Sequence, residues 1–178
     1  MLKFVKGFFF DSEAQTLVNT VNCRGVMGKG VALEFKIRFP DMYEDYREKC
    51  KLLKIEPGKV YLHKGTTPWV LNFPTKDHWK SYSNINNIKL GLQDLVQNYK
   101  GWGITSLAMP ALGCGHGGLD WDKVKPLIKE YLGDLEIAIE VYEPGSTFEQ
   151  PEEIEYLKDL FGEPPPPTKK RKRRTSSR

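Results

Sequence analysis

Two glycine-rich stretches have the residue types and spacing that could bind an anion. The first, NCRGVMGKGVALEF (residues 22–35), follows strand-forming residues and has three glycines in six residues before a helical pattern without an early acidic residue. The second, MPALGCGHGGLDW (residues 109–121), also leaves a strand-like run through glycines and enters a helix. Glycines let backbone N–H groups approach a ligand, and a helix N-terminus adds unpaired N–H groups and a favourable dipole. Two such stretches at one sheet edge could hold a diphosphate from both sides.

Glycines between a strand and a helix also have a simpler explanation, because they permit tight turns without any ligand. Neither stretch has the Gly-Lys-Ser/Thr ending of a P-loop, and neither has the GxGxxG spacing of a dinucleotide fingerprint. A generic nucleotide-binding fold therefore does not account for both stretches.

The elements that must position these stretches alternate between strand and helix, which predicts an α/β fold with a largely parallel, buried sheet. Ser83 and Asp120 are predicted to cap the helices that follow them. The 135–142 segment alternates as a half-solvated strand should. The predicted strands are residues 2–5, 16–21, 59–64, 68–73, 105–112 and 135–142, and the predicted helices are residues 31–39, 41–54, 84–99, 121–132 and 148–162.

Length and composition limit the alternatives. The 178 residues fit one domain, and no apolar run reaches the roughly 20 residues of a membrane span. We also expect no secretory signal, because the N-terminus lacks a small-residue cleavage site. The three cysteines are widely spaced, which favours a reducing, intracellular setting and indicates neither a zinc site nor another metal site. We expect no cofactor.

The net charge of +4 is unevenly distributed along the chain. Residues 168–178 carry seven of the 27 basic residues, which leaves 20 basic against 23 acidic residues in the rest. The prediction is a compact domain over residues 1–162 with a short C-terminal helical extension, followed by a disordered Pro-rich spacer and basic tail at 163–178. The tail is typical of a nuclear localisation signal, of a nucleic-acid-binding arm, or of a merely solvated terminus.

The two stretches, together with NFPTK at residues 72–76, resemble the macrodomains, a family that binds or hydrolyses ADP-ribose. Within that family they look most like the DarG-type antitoxins, which remove ADP-ribose from DNA bases, and they share a branch with the terminal ADP-ribose protein glycohydrolase. The resemblance covers about residues 1–142. It implies a three-layer α-β-α fold with a mixed, largely parallel central sheet.

The resemblance also implies roles for individual residues. Asn22 would contact the ribose that carries the scissile bond, although it could instead stabilise a turn. Lys29 and His116 could touch the diphosphate or simply face solvent, and Tyr142 could stack on adenine or belong to the core. Where macrodomains usually place an Asp or Asn that reads adenine, this chain has Phe8, so either stacking replaces that contact or Asp11 curls back. The implied ligand-binding residues are Val26, Met27, Gly28, Lys29, Gly30, Gly113, Cys114, Gly115, His116, Gly117, Tyr142 and Phe9.

The resemblance assigns catalysis to Lys76, with Asn22, and Lys80 is the rival lysine. A neutral lysine amine can attack an anomeric carbon, whereas an ammonium could stabilise the departing base. The protein-directed relatives use an acid where this chain has Gly117, so its absence favours DNA as substrate. Interleaved aromatic and basic residues suit a flipped base and single-stranded DNA, or they pack beneath the loop. The expected DNA-contacting residues are His78, Trp79, Lys80 and Tyr82.

The resulting hypothesis is an ADP-ribosyl hydrolase acting on modified DNA bases, with thymine in single-stranded DNA as the implied substrate. The alternatives are a non-catalytic ADP-ribose reader and a hydrolase of protein-linked ADP-ribose. The expected partners are ADP-ribose, ADP-ribosylated DNA and a DNA ADP-ribosyltransferase toxin, with no membrane. We expect a monomer that is cytoplasmic, or nuclear if the basic tail acts as a localisation signal.

Overall fold

Within residues 1–148, the part of the chain that the structure describes, six strands form one mixed sheet. The structure is a computed structural model. The sheet order is β1-β6-β5-β2-β4-β3, and β3 is antiparallel to its neighbour β4 while the other pairs are parallel. This arrangement confirms the predicted α/β class with a largely parallel sheet. The strands are β1 Leu2–Val5, β2 Thr16–Val21, β3 Tyr61–His63, β4 Trp69–Pro74, β5 Ser106–Pro110 and β6 Ala138–Tyr142.

Helices cover both faces of the sheet and complete three layers. One core cluster, with Phe73, Leu92 and Ile128, joins the sheet to α3 and α4, and a second, with Phe35 and Tyr46, joins it to α1 and α2. The helices of the described part are α1 Gly30–Arg38, α2 Pro40–Lys51, α3 Ile85–Trp102 and α4 Trp121–Leu132. In these residues no helix is both long enough and apolar enough to cross a bilayer.

The helix starts show which capping predictions hold. Asp120 caps α4 as predicted, because its carboxylate accepts the backbone N–H two residues later at 3.0 Å. The prediction that Ser83 caps α3 is wrong. Asn84 is the cap, and the Ser83 hydroxyl instead donates to Thr75 Oγ1 at 2.9 Å. The predicted helix at 148–162 and the tail at 163–178 lie outside the described residues.

The parallel strands determine where the two glycine-rich stretches meet. The first glycine loop (residues 22–29) follows β2, and the second glycine loop (residues 111–120) follows β5, which is hydrogen-bonded to β2. The carboxyl ends of parallel strands lie at one edge of a sheet. Both loops therefore open at the same edge, together with the residues that follow β4 and β6.

Close packing of α3 on β4 gives the first testable prediction. Gly91 faces the Phe73 ring so closely that an added Cβ would overlap the ring, and Phe73 is fully buried. Gly91→Ala should therefore lower the free energy of unfolding by about 1–3 kcal/mol, the usual cost of overpacking. Gly101→Ala is the matched control in the same helix, because its Cβ would meet nothing within 4 Å and it should be neutral or slightly stabilising. Denaturant unfolding checks both variants, and equal effects would contradict the packing argument.

Candidate active site

A cleft of about 920 Å³ opens at the carboxyl edge of the sheet. Its walls come from the ends of β2 and β6, the two glycine loops, the start of α1 and the residues that follow β4. Most of the residues that were predicted from the sequence to contact ligand or DNA line this cleft. These lining residues are Asn22, Val26, Gly28, Lys29, Gly30, Lys76, Trp79, Lys80, Tyr82, Gly113, Cys114, Gly115, His116, Gly117 and Tyr142.

Three nominated residues do not line the cleft. Met27 and Phe9 are almost completely buried in the core on the α1 side, so the prediction that they contact ligand directly is corrected. Phe9 instead supports Tyr142, whose ring meets it edge-on at 5.1 Å between centroids. His78 is absent from the lining, and its ring stacks on Trp79 with 5.5 Å between the ring centroids. Met27 and Phe9 are buried because both side chains are large and apolar and fill space beneath the loops.

Asn22 organises the first glycine loop from within. Its Nδ2 donates to the Val26 carbonyl at 2.7 Å, and its Oδ1 accepts the Arg24 N–H at 2.9 Å. The buried Tyr46 hydroxyl donates to the Asn22 carbonyl at 2.6 Å. These bonds match the turn-stabilising alternative, and the residue also lines the cleft. Asn22 therefore determines where the loop backbone faces a ligand.

The prediction for Asn22 follows from this bonding. Asn22→Asp removes the donor to Val26 and puts a carboxylate against that carbonyl, while the shape of the side chain is kept. We expect ADP-ribose affinity to fall at least tenfold, because an unpaired buried acceptor costs about 1–3 kcal/mol and the loop must rearrange. Isothermal titration with ADP-ribose measures the change. Unchanged affinity at neutral pH would show that the Val26 bond does not hold the loop.

The second glycine loop closes on itself through backbone bonds. Leu119 N–H donates to the Gly113 carbonyl at 2.9 Å, and Gly118 N–H donates to the Gly115 carbonyl at 3.1 Å. A Cβ added at Gly30 would lie 3.2 Å from His116 Cδ2, so the histidine ring lies against the start of α1, which directly follows the first glycine loop. The two loops thus face each other across the cleft, as required for binding one diphosphate.

Cys114 in this loop does not have the properties of a nucleophile. Burial raises the pKa of its thiol to about 11, with a smaller contribution from the charge of Asp120. The thiol is therefore protonated at neutral pH, and a protonated thiol is a poor nucleophile. Within residues 1–148, no group of three or more His, Cys, Asp or Glu side chains could hold a metal ion.

The lysine segment (residues 75–77) is fixed by main-chain bonds to the first glycine loop. The parallel pairing of β2 with β4 continues beyond the strand ends, because Thr75 N–H donates to the Val21 carbonyl at 3.1 Å and Cys23 N–H donates to the Asp77 carbonyl at 2.9 Å. An ion pair of 2.6 Å between Arg24 and Asp77 adds a side-chain contact. Lys76 therefore has a defined position beside the first loop.

The environment of Lys76 differs from that of Lys80. Partial burial lowers the pKa of Lys76 below the ordinary lysine value. Within the described residues no acidic side chain forms an ion pair with it, so nothing opposes this shift. Lys80 is exposed and its ammonium lies 4.9 Å from the centroid of the Trp79 ring. Burial therefore favours the neutral amine at Lys76.

The second glycine loop is tied to the lysine segment through Ser83. The Ser83 N–H donates to the Gly117 carbonyl at 2.9 Å, and the Ser83 hydroxyl donates to Thr75 Oγ1, also at 2.9 Å. The Thr75 carbonyl accepts the Asn84 N–H at 3.2 Å. These buried bonds fix the distance between the two walls of the cleft.

The end of the cleft beside β6 contains residues that the sequence did not nominate. Residues 143–146 and Phe148 line it, next to Tyr142. The turn signal Glu-Pro-Gly-Ser directly after a parallel strand could have identified them, since ligands collect beyond strand carboxyl ends. Asp11 lies in a short 3₁₀ turn and does not line the cleft, so the alternative in which it curls back is not what the structure shows. The other lining residues missed are Thr20, Val21, Val31, Ala32, Thr75, Ser81, Ser83, Pro110 and Ala111.

A three-layer fold with two glycine loops that face each other at the carboxyl edge of the sheet is the arrangement that the macrodomain resemblance implies. Residues 18–128 match the Macro domain family, and the chain belongs to that family. The macrodomain resemblance indicated by the sequence motifs is confirmed.

The family assignment is supported by curated relatives and solved structures. The chain is 45% identical over 162 residues to a "DNA ADP-ribosyl transferase-DNA ADP-ribosyl glycohydrolase fusion protein" of Thermosipho africanus, covering 80% of this chain and 42% of that protein. It is similar to the macrodomain of Thermus aquaticus DarG, with a TM-score of 0.77 and 42% identity over 81% of this chain and 99% of that one. Thermosipho africanus DarTG in complex with ADP-ribose matches with a TM-score of 0.78 and 47% identity, covering 81% and 42% of the two chains. The chain spans less than half the length of its curated relatives from Thermosipho africanus, Thermus aquaticus and Mycobacterium bovis.

Proposed function

We propose that this chain is a hydrolase that releases ADP-ribose from a modified DNA base, with thymine in single-stranded DNA as the substrate. The observation that carries the proposal is Lys76, a partly buried lysine with a lowered pKa in the wall of a cleft suited to ADP-ribose. A cleft that only binds ADP-ribose has no need for a lysine amine that is more readily neutral. The names of relatives from Thermosipho africanus and Thermus aquaticus, which include DNA ADP-ribosyl glycohydrolase activity, support the same function.

In the complex proposed for this function, the ligand extends along the lining residues of the cleft. The diphosphate lies between the two glycine loops, where backbone N–H groups are available, and adenine lies toward Tyr142 and Phe148. The distal ribose then lies at the end formed by Asn22 and Lys76. In this orientation the Lys76 amine is beside C1″, the carbon from which the base must depart.

The chemistry assigned to Lys76 is nucleophilic. A neutral amine attacks C1″ as the bond from C1″ to the base nitrogen breaks, and the proton that the attacking nitrogen then loses neutralises the departing base. Water hydrolyses the lysine–sugar linkage, which releases ADP-ribose and regenerates the amine. Burial favours the neutral amine, and the described residues supply no carboxylate that would hold the ammonium form. Stabilisation of the departing base by an ammonium is the alternative role, and the pH dependence of the rate distinguishes the two.

Two observations favour DNA over an ester on a protein. Gly117 occupies the position at which the resemblance places an acid in protein-directed relatives, and nearby Asp120 is engaged as the α4 cap. Among described residues the charged side chains lining the cleft are Lys29, Lys76, Lys80 and Glu143. Glu143 is paired with Lys125 at 2.5 Å, so the cleft is effectively positive and attracts phosphates.

The test uses a single-stranded oligonucleotide that carries one ADP-ribosylated thymine. Wild-type protein should release free ADP-ribose and restore the unmodified oligonucleotide, both measured by liquid chromatography and mass spectrometry. A parallel reaction with a protein ADP-ribosylated on glutamate tests the ester alternative. If the wild type binds ADP-ribose by calorimetry but releases none from either substrate, the chain is a reader and the proposal is wrong.

The proposed partner is the enzyme that makes the substrate. The Thermosipho africanus relative is named as a fusion of a DNA ADP-ribosyl transferase with a glycohydrolase. By analogy, we propose that a DNA ADP-ribosyltransferase toxin supplies the modified base for this chain. The chain then acts as a monomer on the DNA product, inside the cell.

A further inference from the structure

Tyr82 is an exposed aromatic residue whose position is nevertheless fixed. Its exposed fraction is 80%, although it lines the cleft. The residues on either side of it are hydrogen-bonded: Ser81 N–H donates to the His78 carbonyl at 3.0 Å, and Ser83 N–H donates to the Gly117 carbonyl. The backbone at Tyr82 is therefore held between two anchored neighbours.

Gly118 gives the Tyr82 ring a surface to lie against. A Cβ at Gly118 would be 2.8 Å from Tyr82 Cδ1, and the residue has a φ of 73°, which side-chain-bearing residues rarely adopt. The glycine thus permits close contact between the ring and the second glycine loop. A tyrosine that is mostly exposed and yet packed against a glycine backbone has the arrangement expected of a binding surface.

The neighbouring Trp79 is less available than Tyr82. The His78 ring stacks on it at 26° between planes, and the Lys80 ammonium lies near its ring. Within residues 1–148, no aromatic ring or cation is packed on the Tyr82 ring. Tyr82 is therefore the rim aromatic with a free face.

The covalent structure of the substrate determines what reaches this face. In the proposed function the base leaves from beside Lys76, and Tyr82 lines the same cleft six residues later in the chain. With the substrate bound as proposed, the nucleotide next to the modified one passes over this rim, where the exposed lysine Lys80 attracts its phosphate. Every base has a flat π-face that can stack on an aromatic ring when it is unpaired.

We propose that Tyr82 is a stacking platform for the nucleobase adjacent to the ADP-ribosylated one in single-stranded DNA. The inference rests on the proposed function and adds a residue that makes the enzyme prefer an oligonucleotide to an isolated modified nucleoside. Stacking on such a platform should change the specificity constant about tenfold.

The experiment compares two substrates, ADP-ribosylated thymidine and an oligonucleotide with the same modification. The measured quantity is the ratio of their kcat/KM values for the full chain, so that any contribution of the basic tail is common to all variants. Wild type should favour the oligonucleotide, and Tyr82→Ala should lower the ratio about tenfold. Tyr82→Trp should restore it, which a purely structural role for the tyrosine hydroxyl would not predict.

Failure of this inference is distinguishable from failure of the proposed function. If wild type cleaves both substrates and Tyr82→Ala leaves the ratio unchanged, Tyr82 is not a platform although the function stands. If wild type cleaves neither substrate, the proposed function is wrong. The affinities of wild type and Tyr82→Ala for the two intact substrates are then compared instead of the kcat/KM values. A tenfold loss for the oligonucleotide alone would still support the platform, and equal losses or none would overturn it.

Discussion

Lys76→Ala should lower the rate of ADP-ribose release from ADP-ribosylated single-stranded DNA by at least about 100-fold, the scale on which a group acting on the reacting bond contributes. The affinity for free ADP-ribose should change less than about threefold, because the backbone of the lysine segment is held by main-chain bonds that the substitution leaves in place. The measurements are single-turnover release by mass spectrometry and calorimetric titration with ADP-ribose.

Lys80→Ala is the matched control for this prediction, since it removes a lysine that also lines the cleft but is exposed to solvent. It should retain most of the single-turnover rate. The assignment would be wrong if Lys76→Ala kept more than a tenth of the wild-type rate, or if Lys80→Ala showed the larger loss.

The pH dependence identifies which form of Lys76 acts. Its pKa is lowered from 10.5 by burial, so the neutral fraction rises with pH and reaches one half below that value. A nucleophilic amine therefore predicts a single-turnover rate that rises with pH and levels off above this lowered pKa. A rate that falls over the same range would assign the ammonium form instead.

Gly117→Ala should disrupt the diphosphate site and destabilise the protein. The added Cβ would overlap both Ser83 Oγ and the Gly113 carbonyl, which belong to the bonds that fix the second glycine loop. The backbone must move to relieve this overlap, and its N–H groups move with it. We expect ADP-ribose affinity to fall about 100-fold and the free energy of unfolding to fall by about 1–3 kcal/mol.

Gly115→Ala controls for adding a methyl group to the same loop. Its Cβ would meet nothing within 4 Å, and its φ lies outside the left-handed region. Thermal unfolding should therefore be almost unchanged by Gly115→Ala and clearly lowered by Gly117→Ala. Equal melting temperatures for the two variants would show that the Ser83 side chain moves aside at little energetic cost and that the loop is not rigidly fixed.

Local signals in the sequence predict much of the fold, and their failures have local causes. The α4 boundaries follow from the Asp120 cap and the regular apolar spacing after it. Ser83 and Asn84 are both good caps by type, and the choice depends on Thr75, a contact from another part of the chain. Leu53 continues the apolar spacing of α2, yet it is exposed at a positive φ because the helix ends at Lys51. The half-solvated alternation predicted for 135–142 holds through most of β6, where Ile139 and Val141 are buried and Ala138 is exposed, and it ends at Tyr142, which is buried next to Val141.

The site was predictable where glycine patterns and motif resemblance point to it, and less so elsewhere. Both glycine loops and Lys76 follow from such patterns. Met27 lies between cleft residues in the sequence, and only the fold shows that its side chain turns into the core. Residues 143–146 carry only a turn signal, and they line the cleft together with Phe148 because β6 is parallel to β5 and ends at the same edge.

The main-chain attachment of the lysine segment has a practical use. The position of this segment is set by the register of the paired strands β2 and β4, and the side chain at position 76 takes no part in the bonds that hold the segment. That side chain can therefore be exchanged while the cleft keeps its shape. An immobilised Lys76→Ala protein would then retain its ligand instead of turning it over, and it would serve as an affinity reagent for isolating ADP-ribosylated nucleic acid from cell extracts.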